Sequence, residues 1–199
     1  MIGIIDYGMG NINALKNIYN ENGIETKTIK NSNDFEHELK KIILPGVGSF
    51  DYAIEALRSK GLLEIIDKFI KNPINFFLVI CVGMQVLCDK SEEGSENGLG
   101  IFNHKIKKFD DISIPHLGWN TLNILKDDCL LNGIPNQSEF YFLHSFYFEN
   151  DNLDYVLCNT NYKHLFSSII KKNNVYGIQF HPEKSHKYGE KILINFNNI

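Results

Sequence analysis

The stretch that most constrains this chain runs Phe76-Phe77-Leu78-Val79-Ile80-Cys81-Val82-Gly83-Met84-Gln85-Val86-Leu87. It opens as an unbroken apolar, β-branched run, the pattern of a strand buried on both faces. Cys81 stands where that run ends, and Gly83 to Leu87 continues in a helix-compatible pattern. A thiol on a strand-to-helix turn lies where free backbone N–H groups point outward. Those groups, and the positive end of the helix dipole, favour thiolate over thiol. They can also hold the oxyanion formed when a thiolate attacks a carbonyl. The arrangement is the cysteine form of a nucleophile elbow. Taken alone, the stretch fits a buried structural cysteine equally well.

The far end of the chain shifts that balance. In Gly177-Ile178-Gln179-Phe180-His181-Pro182-Glu183-Lys184-Ser185 a histidine follows a short apolar run and a carboxylate comes two residues later. If the segment is extended, residues i and i+2 project to the same side, so Glu183 reaches the His181 imidazole. A thiol, a base and an acid that orients the base are the parts of covalent acyl transfer.

Between these points the pattern alternates. Ile2 to Asp6 reads as a strand, Asn13 to Asn22 as a helix, and Glu25 to Lys30 as a strand. Asp34 to Lys40 reads as a short helix, Lys41 to Leu44 as a strand, and Tyr52 to Leu57 and Leu62 to Lys71 as helices before the Cys81 strand. Such alternation predicts a parallel sheet covered on both faces, with functional loops at the carboxyl ends of its strands. The turns after Asp6, after Leu44 and at Cys81 then share one edge. Gly8-x-Gly10-x-x-Asn13 lacks the third glycine of a dinucleotide fingerprint and reads better as a tight turn. Pro45-Gly46-Val47-Gly48-Ser49-Phe50 is a closely approachable loop able to present N–H groups to an anion.

Beyond Cys88 the pattern changes. Cys88 to Gly100 reads as a solvated loop whose acids form no site. Lys105 to Phe109, Thr121 to Leu125, Glu139 to Phe148, Tyr155 to Asn159, Ser168 to Lys171 and Val175 to Phe180 read as strands, the last three of an antiparallel kind, and Gly189 to Phe196 as a closing helix. His144 reads as a structural histidine; His116 and Trp119 fit surface, core or docking roles. The expected fold is α/β: a mostly parallel central sheet with helices on both faces and a smaller antiparallel sheet, with residues 1–199 forming one domain.

Composition narrows the function. A formal net charge of -4 argues against a nucleic-acid binder. Cys81, Cys88, Cys129 and Cys158 form no C-x-x-C, and no second ligand pair joins His181 and His186, so neither a metal nor a cofactor is expected. The amino terminus meets Asp6 without a basic stretch, and no apolar run reaches membrane-spanning length. The expectation is a cytoplasmic protein with reduced thiols.

Six segments together carry a resemblance: Asp6-Tyr7-Gly8-Met9-Gly10-Asn11, Leu44-Pro45-Gly46-Val47-Gly48-Ser49-Phe50, Ile80-Cys81-Val82-Gly83-Met84-Gln85, Pro115-His116-Leu117-Gly118-Trp119-Asn120, His144-Ser145 and Gln179-Phe180-His181-Pro182-Glu183-Lys184-Ser185. With these in this order the chain resembles the class I glutamine amidotransferases, and among them the glutaminase subunits of imidazole glycerol phosphate synthases. The resemblance implies that Cys81 forms a glutamyl thioester and that His181, oriented by Glu183, moves the protons. It implies an oxyanion hole from the Val82 N–H and the Gly46-Val47-Gly48 loop. Gly48, Gln85 and the backbone at Ser145 and Phe146 would hold glutamine. The implied partner is a (β/α)₈-barrel cyclase subunit that receives the ammonia. The family carries a small residue where Val79 stands, so a strained elbow is expected there. The rival readings are a paralogue serving sugar amidation, a Cys-His hydrolase acting alone, and a non-enzymatic binding subunit.

Overall fold

A computed structural model describes residues 1–36, 38–110, 114–150 and 154–199. The first half builds the parallel side of a sheet. Strand β1 (Ile2–Ile5) is followed by helix α1 (Ile12–Glu21), strand β2 (Thr26–Ile29) and strand β3 (Lys41–Leu44). Helices α2 (Phe50–Ser59) and α3 (Leu63–Ile70) lead to β4 (Phe76–Ile80), which turns at Cys81 into the five-residue helix α4 (Val82–Val86). The second half is strand-rich: β5 (Cys88–Ser91), β6 (Phe102–Lys108), β7 (His116–Thr121), β8 (Asn123–Ile124), β9 (Glu139–His144), β10 (Phe146–Glu149), β11 (Val156–Tyr162), β12 (His164–Lys172) and β13 (Val175–Ile178), closed by helix α5 (His186–Asn198).

The main sheet runs β2-β1-β3-β4-β13-β12-β10-β6-β5, and β11 pairs with both β12 and β8. Strands β2, β1, β3, β4 and β13 are mutually parallel. Strand β12 runs antiparallel to β13, β10 and β11. Strands β7 and β9 form a separate antiparallel pair. This is the mostly parallel α/β sheet with a smaller antiparallel one.

Four local expectations are corrected. The stretch Val175 to Phe180 is not simply antiparallel: β13 lies parallel to β4, with Ile178 opposite Ile80. An apolar strand fits there because it is buried on both faces. Over 34–40 the described residues form no α-helix; the chain makes a 3₁₀ turn at Ser32–Asp34, where Asn31 and Asp34 cap each other's backbone. Cys88 to Ser91 is strand β5, paired with β6, rather than loop. Glu139 to Phe148 is two strands broken at Ser145, one in each sheet.

The period-two alternation of β4 divides the core. Phe77 and Val79 pack with α2, α3 and α4 through Phe50, Leu57, Ile66 and Met84. Leu78 and Ile80 pack on the other face with α1, α5 and the small sheet through Leu15, Tyr19, Leu193, Phe140 and Phe142. The Tyr19 hydroxyl donates to the Leu193 carbonyl at 2.9 Å, tying α1 to α5.

Candidate active site

Cys81 sits at the carboxyl end of β4 with φ 56° and ψ -114°, a conformation that non-glycine residues rarely adopt. Its N–H donates to the Ile178 carbonyl at 2.7 Å, while its own carbonyl accepts from Met84 N at 2.9 Å. The residue is thus pinned by the neighbouring strand on one side and by the helix on the other. The reversed φ breaks the strand's alternation, so Cys81 joins the cluster of Leu78 and Ile80 rather than that of Phe77 and Val79. Val82 occupies the first position of α4, where an N–H has no helical acceptor.

The turn needs space at Gly83 and Gly46. A Cβ on Gly83 would lie 2.8 Å from the Leu44 carbonyl, and one on Gly46 would lie 2.8 Å from the Gly83 nitrogen and 2.9 Å from the Tyr7 hydroxyl. The loop after β3 therefore lies directly against the elbow. Val79 is fully buried among core side chains, and its Cβ stands 3.4 Å from where a Gly83 Cβ would be, an ordinary contact. It is the Leu44 carbonyl that demands glycine at 83.

Strand β13 ends beside Cys81, and three residues beyond it comes His181. The ring is 1 % exposed, and its Nδ1 lies 2.9 Å from Glu183 Oε1. Glu183 reaches the ring by a route other than the extended segment expected: Pro182–Lys184 is a 3₁₀ turn with Pro182 at its start. The turn folds Glu183 back under the imidazole. Nε2 of His181 is buried and finds no partner in hydrogen-bond geometry among the described residues. Burial works against a charge on His181, but the Cys81 sulfur and the Glu183 carboxylate beside it prevail and raise the imidazole to about 10.

Cys81 and His181 open into a cavity of about 200 Å³. Val47, Gly48, Val82, Gln85, Ser145 and Phe146 line it with them; Gly46 and Glu183 stand behind the wall. Val47 and Gly48 give their N–H groups to no backbone acceptor among the described residues. The Gln85 side chain is fixed by its amide nitrogen, which donates to the Phe146 carbonyl at 3.1 Å and to Gln179 Oε1 at 3.3 Å. What Gln85 has left for the cavity is its Oε1 acceptor. Gln179 Nε2 lies 3.8 Å from the Cys81 sulfur. The Ser145 carbonyl accepts from Phe109 N at 3.1 Å, which turns the Phe146 N–H of the same peptide to the opposite side.

Four cavity residues had no site role assigned from the sequence: Glu93, Leu143 and, although they stand in the motif segments, Pro115 and His144. Glu93 stands in an acidic run whose members look alike in sequence. Its distinction is positional: Oε2 accepts from Phe50 N at 2.8 Å, and burial raises its carboxyl above the ordinary range against that bond. His144 has the structural bonding that was expected of it. His116 is buried, whereas Trp119 is 45 % exposed and stacks on His186.

A buried thiol on a strand-to-helix turn, a carboxylate-oriented imidazole and a cavity offering donors and acceptors thus stand together. The chain belongs to the class I glutamine amidotransferase family, whose model matches residues 3–198. Similar relatives are the imidazole glycerol phosphate synthase subunit HisH of Bdellovibrio bacteriovorus, 42 % identical over 205 residues with all of both chains covered, and that of Methanocaldococcus jannaschii, 44 % identical with 98 % of both covered. Among solved structures, a glutamine amidotransferase matches with a TM-score of 0.77 at 16 % identity, covering 100 % of this chain and 99 % of that one. PurLQS from Thermotoga maritima matches with a TM-score of 0.73 at 17 % identity, covering 99 % and 97 %. At such identities these two matches speak for the fold. Membership of the family makes the chain an enzyme of the glutaminase type.

Proposed function

We propose that this chain is the glutaminase subunit of a cytoplasmic imidazole glycerol phosphate synthase of histidine biosynthesis, with Cys81, His181 and Glu183 as its catalytic residues. The observation that carries the reading is the meeting of residues 81 and 181 at one cavity, with Glu183 bonded to the far side of the imidazole.

In this reading the Cys81 sulfur attacks the side-chain amide carbon of glutamine while His181 holds the thiol proton. The C–N bond breaks as His181 gives that proton to the nitrogen, releasing ammonia and leaving a glutamyl thioester on Cys81. His181 then takes a proton from water, whose oxygen attacks the thioester; glutamate leaves and the thiol is restored. The N–H groups of Val82 and of the Gly46-Val47-Gly48 loop receive the oxyanion. Gln85 Oε1 and Glu93 offer acceptors to the α-ammonium of glutamine, and the backbone at Gly48, Ser145 and Phe146 holds the rest of the substrate.

The ammonia passes to a (β/α)₈-barrel cyclase subunit, which uses it to form imidazole glycerol phosphate and AICAR. Bulk water would protonate ammonia and remove its nucleophilicity, so direct transfer preserves its reactivity. The test is glutaminase assay with and without purified cyclase subunit and its ligand. A low basal rate that the loaded cyclase stimulates supports the reading; full activity without a partner favours a hydrolase acting alone. In the complex, Cys81→Ala should abolish synthesis from glutamine and leave synthesis from added ammonia intact. Loss of both would assign Cys81 to assembly.

A further inference from the structure

Behind the cavity lies a buried pair that the chemistry above does not use. His116, on β7, places Nδ1 3.0 Å from Nε2 of His144, on β9. His144 Nδ1 lies 2.8 Å from the Phe146 carbonyl, and Asn120 Nδ2 lies 3.1 Å from His116 Nε2. The Asn120 amide is itself oriented, because Nδ2 also donates to the Asn161 carbonyl at 3.0 Å and Oδ1 accepts from Thr121 N at 2.8 Å.

We propose that His116 and His144 are positioning residues, linked in one fixed proton order that locks the Phe146 edge of the cavity. The order is demanded from both ends. A carbonyl can only accept, so His144 must carry its proton on Nδ1, and its Nε2 is then an acceptor. His116 must therefore donate from Nδ1, which leaves its Nε2 to accept. The backbone at Thr121 and Asn161 independently turns the Asn120 N–H toward that Nε2. The reverse order would set acceptor against acceptor at Phe146 and donor against donor at Asn120. A doubly protonated ring would set two N–H groups against each other in a site where both histidines are at most 6 % exposed. Burial keeps both neutral, holding His116 at about 4 and, against the bond to the Phe146 carbonyl, His144 at about 3.

The Phe146 carbonyl thus receives two donors, His144 Nδ1–H and Gln85 Nε2–H. The first fixes the peptide; through the second, the peptide fixes which atom Gln85 turns to the cavity. If His144 took the other tautomer, its Nδ1 would repel that carbonyl. The effect on glutamine rests on the proposed function, whereas the proton order does not.

Two measurements test this. Long-range ¹H–¹⁵N correlation spectra of the complete chain should show both rings as the Nδ1–H tautomer, the minor form of free histidine, at neutral pH. An Nε2–H tautomer on His144 would overturn the proposal, and this readout requires no variant. In the cyclase-stimulated enzyme, His116→Leu should raise KM for glutamine about tenfold, the effect of ~1.4 kcal/mol, with kcat within about twofold. His116→Asn keeps a donor at the Nδ1 position and should return KM toward wild type. An unchanged KM in a folded His116→Leu protein, or no rescue by asparagine, would overturn the positioning role. If the tautomers are as stated while Cys81→Ala keeps its glutaminase activity, the reading of the cavity fails and the proton order stands.

Discussion

At the scale of single residues, the candidate site holds groups in states they would not choose in water. His181 is raised to about 10 by Cys81 and Glu183, which outweigh its burial. Its charge thus favours the folded state fully below the ordinary value of about 6.5, and that contribution is lost as pH rises through about 10. Glu183→Gln removes one cause of the rise. The variant should lose stability at a lower alkaline pH than wild type, read by denaturant unfolding across the alkaline range, and kcat should fall by about a hundredfold or more. Tyr7 is the counter-case. Its hydroxyl is buried against Gly46 without a hydrogen-bond partner among the described residues, and burial, then the nearby Cys81, pushes its ionisation far above the ordinary range. Tyr7→Phe removes an unsatisfied polar atom and should raise stability by ~1 kcal/mol, a melting shift of about 2–4 °C.

At the scale of elements, the fold was legible wherever burial writes a simple pattern. The apolar run of β4 and the helical spacing of α1 located themselves, and Cys81 fell at the junction of β4 with α4. Legibility failed where the partner of an element decides its state. Cys88 to Ser91 carries two charges and becomes a strand only because β6 lies beside it. The stretch Val175 to Phe180 gives no sign in its residues that β4 will be its parallel neighbour. The His181–Glu183 contact was foreseen with the wrong geometry, since Pro182 starts a 3₁₀ turn where a spacing of two suggested extended chain. Glu93 was invisible because its role depends on the Phe50 N–H, 43 positions away. Val79, where the family carries a small residue, is part of the core. Val79→Gly should therefore lower stability by about 3 kcal/mol, through lost burial and a freer backbone, and leave KM near wild type below the melting point. Thermal unfolding beside kinetics at low temperature separates the two effects.

At the scale of the whole molecule, exposed apolar side chains stand on or beside the segments that line the cavity. Val47 lines the cavity at 39 % exposure; Ile114, next to the lining Pro115, is 40 % exposed; Leu117 and Trp119 of β7 are 60 % and 45 % exposed. A cyclase subunit docked over the cavity would cover them. Trp119 is the one tryptophan of the chain. Its fluorescence should shift to shorter wavelength as cyclase is added and saturate at one partner per chain; an unmoved spectrum would place docking elsewhere. The parallel pairing of β13 with β4 carries a temporal meaning as well. The sulfur is made early in synthesis and its imidazole a hundred positions later, and only the last parallel strand to be made brings them together. A nascent chain on the ribosome thus carries the Cys81 thiol without its proposed base until β13 and the residues just beyond it have been made.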